Sequence, residues 1–241
     1  MALATFKGGI HPPDKKDIAK DRAIKEAKSP QRVVIPLSQH LGAPCKPIVS
    51  IGQEVKKGEV IGEPGGFVSA PVHSSVSGKV IAIAEFPNAM GRMINSIVIE
   101  NDGKEEWTSL KDNPDYIKLS PDELKEKVKV AGIVGMGGAA FPTLVKLSPP
   151  KEKSIDTVIL NGAECEPYLT ADYRLMIEKS AEIVEGLKIL MRILGVNKGF
   201  IGIENNKPDA IEKMKDAVKN EPNIEVCGLE VKYPQGAEKM L

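Results

Sequence analysis

The sequence has no surplus of either charge, since 33 lysines and arginines balance 33 aspartates and glutamates in 241 residues. A protein that binds nucleic acid displaces counterions from the phosphate backbone and usually carries a basic excess. A protein held to a membrane surface by a polybasic segment needs the same excess. The composition therefore argues against both kinds of partner. Hydrophobic residues at 41% and charged residues at 27% are ordinary for a globular protein.

Cysteine and long hydrophobic runs are also scarce. The three cysteines, Cys45, Cys165 and Cys227, lie far apart and form no Cys-x-x-Cys pair. They predict neither a disulfide framework nor the four thiolates that an iron–sulfur cluster commonly requires. No stretch approaches the roughly 20 apolar residues that a membrane-spanning helix needs. The first residues show no secretory signal, so we expect no direct membrane span and a cytoplasmic location.

Composition divides the chain into three segments. Residues 1–32 hold a charged run with too few apolar positions to bury a face, which predicts an N-terminal arm lying over another part of the protein. Residues 33–104 hold short β-branched runs between glycines and prolines, which is typical of a small all-β domain. Residues 105–241 alternate helix and strand patterns, which predicts an α/β domain with a parallel sheet.

The all-β segment resembles a known architecture without its chemistry. Its predicted strands are 33–35, 48–49, 59–61, 68–70, 79–83 and 96–99. Residues 49–62 and 70–80 resemble the barrel-sandwich hybrid of lipoyl and biotinyl carrier domains, in which glycines occupy tight turns. A carrier domain displays a lysine at a hairpin tip, whereas no lysine lies between Val60 and Gly78 here. We therefore expect the architecture without a swinging arm.

The α/β segment contains recognisable helix boundaries. Residues 120–123, Ser-Pro-Asp-Glu, form a capping box with proline at the first helical position, and the helix should end near Ala131, before Gly132. Thr170 is predicted to cap one long helix that ends at Gly195. Strands are predicted at 155–160, 200–203 and 224–231, and a further helix at 208–219. Ligands bind such sheets at the carboxyl ends of the strands, which is where residues 161–167 fall.

Two loops could bind a cofactor. The glycine loop, residues 135–143, reads Gly-Met-Gly-Gly-Ala-Ala-Phe-Pro-Thr and formally matches the Gly-x-Gly-x-x-Gly/Ala dinucleotide fingerprint. It follows a helix rather than a strand, so the match is weak. Small residues nevertheless let backbone N–H groups approach a phosphate or a flat ring. The alternative is a flexible connector between domains.

The acidic loop, residues 161–167, reads Asn-Gly-Ala-Glu-Cys-Glu-Pro and follows a predicted strand. Carboxylates beside a phosphate would be unfavourable, so Glu164 and Glu166 suit hydroxyls of a ribityl or ribose chain, or an amide N–H. A solvated acidic turn is the alternative. The two carboxylates should raise the pKa of Cys165 and make it a poor nucleophile.

Together the two loops resemble the flavin and NADH site of the flavoprotein subunit of respiratory complex I. Its pattern Gly-x-Gly-Gly-Ala-Gly-Phe-Pro-x-x-x-Lys is matched by Gly135, Gly137, Gly138, Ala139, Phe141, Pro142 and Lys146. Its second pattern, Asn-x-Asp-Glu-x-Glu-Pro, is matched by Asn161, Glu164, Glu166 and Pro167. Residues 6–13, 36–42 and 233–236 are similar to segments of the RnfC family, whose members belong to the Rnf electron-transport complex. The resemblance covers nearly the whole chain.

The resemblance implies an α+β multidomain fold, with a barrel-sandwich hybrid followed by a Rossmann-like FMN/NADH-binding α/β domain. The implied FMN contacts are Gly135, Gly137, Gly138, Ala139, Lys146, Asn161 and Glu164, and the implied NAD(H) contacts are Phe141 and Glu166. No residue is assigned to catalysis or to a metal, because hydride transfer between nicotinamide and flavin depends on positioning. A carboxylate at the ribose also disfavours a 2′-phosphate, which predicts NADH over NADPH.

The implied function is the NADH:flavin oxidoreductase module of a membrane-bound ferredoxin:NAD oxidoreductase coupled to ion translocation. The resemblance places it peripherally on the cytoplasmic side of the cell membrane, with other Rnf subunits as partners. Family members carry two [4Fe-4S] clusters in a cysteine-rich domain that lies beyond this sequence, so we expect a chain truncated at its C-terminal end.

The chain departs from the complex I pattern at Met136, Ala140, Ala163 and Cys165. Losing an arginine and an aspartate at two of these positions predicts weaker FMN binding. Two alternatives stay open. One is a cobalamin reductase-type flavoprotein, which shares the loops. The other is a non-catalytic scaffold like the quinone-reductase component that shares the barrel-sandwich region but has degraded flavin loops.

Overall fold

The computed structural model describes residues 3–110, 115–136, 140–150 and 152–241. The chain forms two compact units. The β-sandwich unit consists of residues 27–152, and the α/β unit combines residues 1–26 with residues 153–241. The three-segment division by composition stays a prediction about domains.

The β-sandwich unit contains two antiparallel sheets. Its strands are β1 (Arg32–Pro36), β2 (Lys46–Pro47), β3 (Glu54–Val55), β4 (Val60–Glu63), β5 (Val72–His73), β6 (Gly78–Pro87) and β7 (Met93–Asn101). One sheet has the order β1-β7-β6-β3 and the other β2-β4-β5. Gly78, with φ of +154°, lets β6 approach β7, since a Cβ there would lie 2.0 Å from the carbonyl oxygen of Glu100. The predicted small all-β domain is confirmed.

Two predicted strands are wrong. Residues 48–49 and 68–70 lie outside the strands, which form at the neighbouring positions 46–47 and 72–73 instead. Around residue 69 the backbone bonds to a loop: Ala43 N donates to Val68 O at 2.9 Å, and the Ser69 hydroxyl donates to Ala43 O at 2.8 Å. Those groups are therefore satisfied without a strand partner.

The core of this unit lies between its sheets. It combines buried strand residues, as the β-branched runs predict, with buried residues between the strands, which are Leu37, Cys45, Val49 and Val76. The buried cluster comprises Ile35, Leu37, Cys45, Val49, Val55, Ile61, Val72, Val76, Val80, Ile97 and Ile99.

Two helices follow the β-strands in the same unit, α1 (Pro121–Val130) and α2 (Thr143–Lys146). The predicted capping box is confirmed: Glu123 N donates to the Ser120 hydroxyl, and the Glu123 carboxylate accepts from Ser120 N. Gly132, with φ of +65°, follows the end of α1.

The α/β unit contains a three-stranded parallel sheet of order β10-β9-β8. Its elements are β8 (Val158–Gly162), α3 (Ala171–Glu178), α4 (Ser180–Leu194), β9 (Gly199–Glu204), α5 (Pro208–Ala217) and β10 (Ile224–Leu229). The predicted parallel α/β arrangement is confirmed. Met176 of α3 and Val184, Leu187 and Met191 of α4 pack in its core with Ile201, Ile203 and Met214.

The prediction of one long helix is wrong. Lys179, with φ of −132° and ψ of 27°, separates α3 from α4, and Thr170 makes no side-chain capping bond. The carboxylate of Glu164 accepts from Asp172 N instead, at 2.8 Å. Gly195 ends α4 as predicted, in the left-handed conformation.

The N-terminal arm lies along the α/β unit. Ala4 pairs with Leu229 and Ile10 with Tyr233 through isolated β-bridges. Farther along, Ile24 N donates to the Glu178 carboxylate at 3.1 Å. In the described part of the chain, no helix has the length and apolar character needed to cross a membrane.

Candidate functional site

The glycine loop lies in the β-sandwich unit and is closed at its base. Val134 and Pro142 form an antiparallel bridge, and Gly135 N donates to Phe141 O at 2.9 Å. Ala140 has φ of +49°, a left-handed conformation that is uncommon without glycine. Gly137, Gly138 and Ala139 lie outside the described residues.

The other two predicted contacts on this side differ in exposure. Phe141 is half-buried beside the bridge, and Lys146 is exposed at the end of α2. An exposed ammonium can approach an anionic group without the cost of prior burial.

The acidic loop begins at the carboxyl end of β8, as predicted. Asn161 uses both ends of its amide: Nδ2 donates to Gly236 O at 2.7 Å, and Oδ1 accepts from Ala163 N at 3.1 Å. Gly236 N in turn donates to Cys165 Sγ at 3.2 Å. A Cβ at Gly236 would lie 2.3 Å from Ala163 O, so the 233–236 segment packs closely against this loop because it has glycine there.

Glu164 and Glu166 occupy different environments. Glu164 is 3% exposed, while Glu166 is exposed. Burial, the largest cause, raises the pKa of Glu164 above its ordinary value, although Asp172 N and Lys16 oppose the shift. The solvated-turn alternative therefore does not describe Glu164. Its second oxygen, Oε2, is buried without a hydrogen bond and lies 3.8 Å from Lys16 Nζ.

A second buried charged pair lies at the same edge of the sheet. Glu204 ends β9, and its Oε2 accepts from Lys207 Nζ at 3.1 Å, with side-chain exposures of 1% and 4%. Glu204 Oε1 is buried without a hydrogen bond. Sequence reasoning missed Glu204, Lys207 and Lys16. The sequence did contain a signal for Glu204, because a glutamate at the end of an apolar strand lies where such sheets bind ligands.

The buried charges adjoin two cavities in the α/β unit. The larger, of about 400 Å³, is lined by Lys16, Glu164, Tyr173, Lys207 and Asp209, among others. The smaller, of about 230 Å³, is lined by His11, Lys16, Cys165, Glu204 and Tyr233, among others. The larger volume falls within the range of small-molecule sites.

The charges also shift the pKa values of neighbouring groups. Burial is the first cause that raises the pKa of the Cys165 thiol, and the charges of Glu204 and Glu166 add to it. The predicted direction is confirmed, but the second carboxylate is Glu204 rather than Glu164. The charge of Glu166, followed by a hydrogen bond with it, raises the pKa of Tyr233. The phenol is thus a neutral partner of the exposed carboxylate.

Two family models match the chain in tandem. Residues 4–104 match the RnfC barrel sandwich hybrid domain, and residues 128–241 match the Nuo51 FMN-binding domain. The C subunit of the Na⁺-translocating ferredoxin:NAD⁺ oxidoreductase complex of Acetobacterium woodii is 53% identical over 238 residues, covering 98% of this chain and 54% of that protein. The chain belongs to the RnfC family.

Two further relatives agree with this membership. The C subunit of the proton-translocating ferredoxin:NAD⁺ oxidoreductase complex of Clostridium ljungdahlii is 51% identical over 99% of this RnfC chain and 52% of its own length. The C subunit of the ion-translocating oxidoreductase complex of Pseudomonas aeruginosa is 42% identical over 100% of this chain and 31% of its own length. This chain therefore spans about half the length of the first two relatives. Membership confirms the barrel-sandwich hybrid fold followed by an FMN-binding domain.

Proposed function

We propose that this RnfC chain binds FMN and NAD(H) and exchanges a hydride between them. The observation that carries the proposal is the acidic loop at the carboxyl end of β8, with one carboxylate buried beside a cavity and one exposed. The match to an FMN-binding domain supports the flavin, and the names of the relatives support ferredoxin and NAD⁺ as the redox partners of the complex.

The donors and acceptors present fit FMN. Glu164 Oε2 is a buried acceptor without a hydrogen bond, and a ribityl hydroxyl provides the donor that it lacks. The exposed ammonium of Lys146 suits the phosphate. With these two residues, the proposed FMN contacts remain those that the resemblance implies, namely Gly135, Gly137, Gly138, Ala139, Lys146, Asn161 and Glu164. When bound, FMN supplies the ring that accepts or returns the hydride.

Glu166 and Phe141 are the proposed NAD(H) contacts. The Glu166 carboxylate is exposed and accepts hydrogen bonds, which suits the ribose hydroxyls. The same charge would repel a 2′-phosphate, so NADH is favoured over NADPH. Phe141 offers a ring face against which an adenine or nicotinamide can stack.

The complete protein has a larger role in this proposal. Electrons pass from FMN to iron–sulfur clusters that lie outside this chain, within a membrane-bound ferredoxin:NAD oxidoreductase coupled to ion translocation. The partners are the other subunits of that complex, and the site faces the cytoplasm.

Reconstitution tests the hydride step. The chain is incubated with FMN, freed of excess flavin, and titrated with NADH in the absence of air while flavin absorbance is recorded. We expect NADH to bleach the flavin until the signal saturates. The same degree of bleaching should require a higher concentration of NADPH than of NADH. Flavin binding without bleaching, or no flavin binding, would place the scaffold alternative first.

Glu166→Ala tests the assignment of the exposed carboxylate. NADH binding to the FMN-loaded chain should weaken by about tenfold or more, because a charge-assisted hydrogen bond is lost, while FMN binding stays within about twofold of the parent. Glu212→Ala, at an exposed position of α5, is the matched control and should change neither affinity. Equal losses of NADH and FMN binding would contradict the role of Glu166.

A further inference from the structure

Lys16 belongs to the N-terminal arm, yet its side chain is buried in the α/β unit with an exposure of 7%. One ammonium reaches three acceptors of the segment 164–169. Nζ donates to Glu166 O at 2.9 Å and to Leu169 O at 2.6 Å, and it lies 3.8 Å from Glu164 Oε2. Two hydrogen bonds and one ion pair thus connect a single ammonium to both ends of the segment.

The arm contributes a second contact to the same segment. Tyr168 N donates to Asp14 O at 2.7 Å. Tyr168 has φ of +68°, and Lys15, between the two arm residues, has φ of +52°. Non-glycine residues keep such left-handed conformations where the surrounding structure fixes them. The arm and the segment therefore hold each other in conformations that neither would favour alone.

Simple stabilisation is a poor explanation for this arrangement. Burial is the first cause that lowers the pKa of Lys16, against the opposing charge of Glu164. Burial is likewise the first cause that raises the pKa of Glu164. Desolvation therefore outweighs attraction at both partners, and an apolar pair of similar volume would often be as stable. The ammonium donates directional hydrogen bonds to Glu166 O and Leu169 O, which an apolar side chain cannot do.

We propose that Lys16 is a positioning residue, which fixes the acidic loop from the N-terminal arm and thereby places the Glu166 carboxylate. The inference rests on the proposed function, in which Glu166 binds NAD(H). Lys16 acts on Glu166 through its backbone carbonyl and on Glu164 through charge, while the other oxygen of Glu164 accepts from Asp172 N at the start of α3. A loop held at the backbone keeps the exposed Glu166 side chain in place before a ligand arrives.

Hydrogen exchange of the chain without ligands tests the positioning directly. Lys16→Met removes the charge while keeping a similar length, and Lys20→Met removes an exposed lysine that lines the same larger cavity. Lys16→Met should speed exchange of amides 163–172 by about tenfold or more, with amides of β9 and β10 unchanged. Lys20→Met should leave all of them as in the parent.

The conservative variant separates charge from packing. Lys16→Arg keeps a cationic donor, and the cavities beside residue 16 give the guanidinium room. It should keep exchange of amides 163–172 within about threefold of the parent. Parent-like protection in Lys16→Met would overturn the proposal. If Lys16→Arg sped exchange of amides 163–172 as much as Lys16→Met does, the proposal would also be overturned. This comparison between the two variants remains decisive even if Lys16→Met speeds exchange throughout the α/β unit.

Ligand affinity adds a readout that depends on the proposed function. In the FMN-loaded chain, Lys16→Met should weaken NADH binding by about tenfold, with restoration in Lys16→Arg. An unchanged NADH affinity alongside a loosened loop would show that the loop does not place Glu166. A parent chain that binds neither ligand would end the proposed function, while the exchange result would still decide whether Lys16 holds the loop.

Discussion

The two compact units bury different kinds of polar residue. Within the described residues, the buried polar side chains of the β-sandwich unit are all serines, Ser69, Ser74, Ser77 and Ser96. The α/β unit instead buries Lys16, Glu164, Glu204, Lys207, Lys232 and Gln235. Serine hydroxyls are satisfied by nearby acceptors, as when Ser74 donates to Val76 O at 2.6 Å, so their burial costs little.

Buried charges are expensive, and their location in the α/β unit indicates what they serve. Glu164 follows β8, and Glu204 is the last residue of the neighbouring parallel strand β9. Both therefore lie at the edge where such sheets bind ligands. Two of their oxygens are buried without hydrogen bonds. Both units have an apolar core, but the α/β unit in addition bears the desolvation cost of buried charges, which lie beside its cavities.

The largest expected effect follows from breaking a buried pair. Lys207→Met leaves Glu204 as an uncompensated buried charge and should lower the free energy of unfolding by about 4 kcal/mol. Adding Glu204→Met should recover most of that loss, since two apolar side chains replace two charges. Denaturant unfolding followed by far-UV circular dichroism measures both.

An exposed pair of the β-sandwich unit is the matched control. Lys56 and Glu106 bond at 2.5 Å with half-exposed side chains, and Lys56→Met should cause no measurable loss, because solvent screens such pairs. If Lys56→Met lowered the free energy of unfolding as much as Lys207→Met does, the buried ion pair would be no more important for stability than the exposed one, and the comparison between the units would fail.

The next effect concerns the apolar core of the β-sandwich unit. Ile61→Ala removes methyl groups from a side chain with 0% exposure and should lower the free energy of unfolding by about 3 kcal/mol. Fluorescence of Trp107, the single tryptophan of the chain, reports this unit during denaturation. Ile51→Ala, at a position that is 65% exposed, should stay within about 0.5 kcal/mol. Similar losses at both positions would contradict a core built on Ile61.

The same comparison explains which features could be predicted from the sequence. The capping box at Ser120 was predictable because all its partners lie within three residues. The position at which α3 starts also followed from Thr170, which is its N-cap residue. The hydrogen bond at that start did not, because Asp172 N bonds to Glu164, eight residues away, rather than to Thr170. The position of the acidic loop followed from a strand pattern. The burial of Lys16 did not, since a lysine in a charged run has the composition of a solvated segment and its partners lie about 150 residues away.

The two helix starts give a smaller, paired prediction. Ser120→Ala removes the hydroxyl that accepts from Glu123 N and should lower the free energy of unfolding by about 1 kcal/mol. Thr170→Ala should change it by less than about 0.5 kcal/mol, because its side chain makes no capping bond. Thermal or denaturant unfolding of both variants measures the difference. A larger loss at Thr170 would mean that α3 depends on the residue that the sequence indicates.

The smallest expected difference between the units concerns the direction in which a buried and an exposed glutamate shift in pKa. Burial raises the pKa of Glu164, so its contribution to stability is fully present below the ordinary glutamate pKa and is lost as pH rises through the raised value. Hydrogen bonds from Ser120, the backbone N–H first, lower the pKa of Glu123, so its contribution is present above the ordinary pKa and is lost as pH falls through the lowered value. Glu164→Gln should therefore destabilise the chain more near pH 4 than near pH 7, and Glu123→Gln more near pH 7. Denaturant unfolding of the parent and both variants near pH 4 and near pH 7 measures these losses of unfolding free energy. If both variants showed the same pH trend, Glu164 would not be held in a desolvated site.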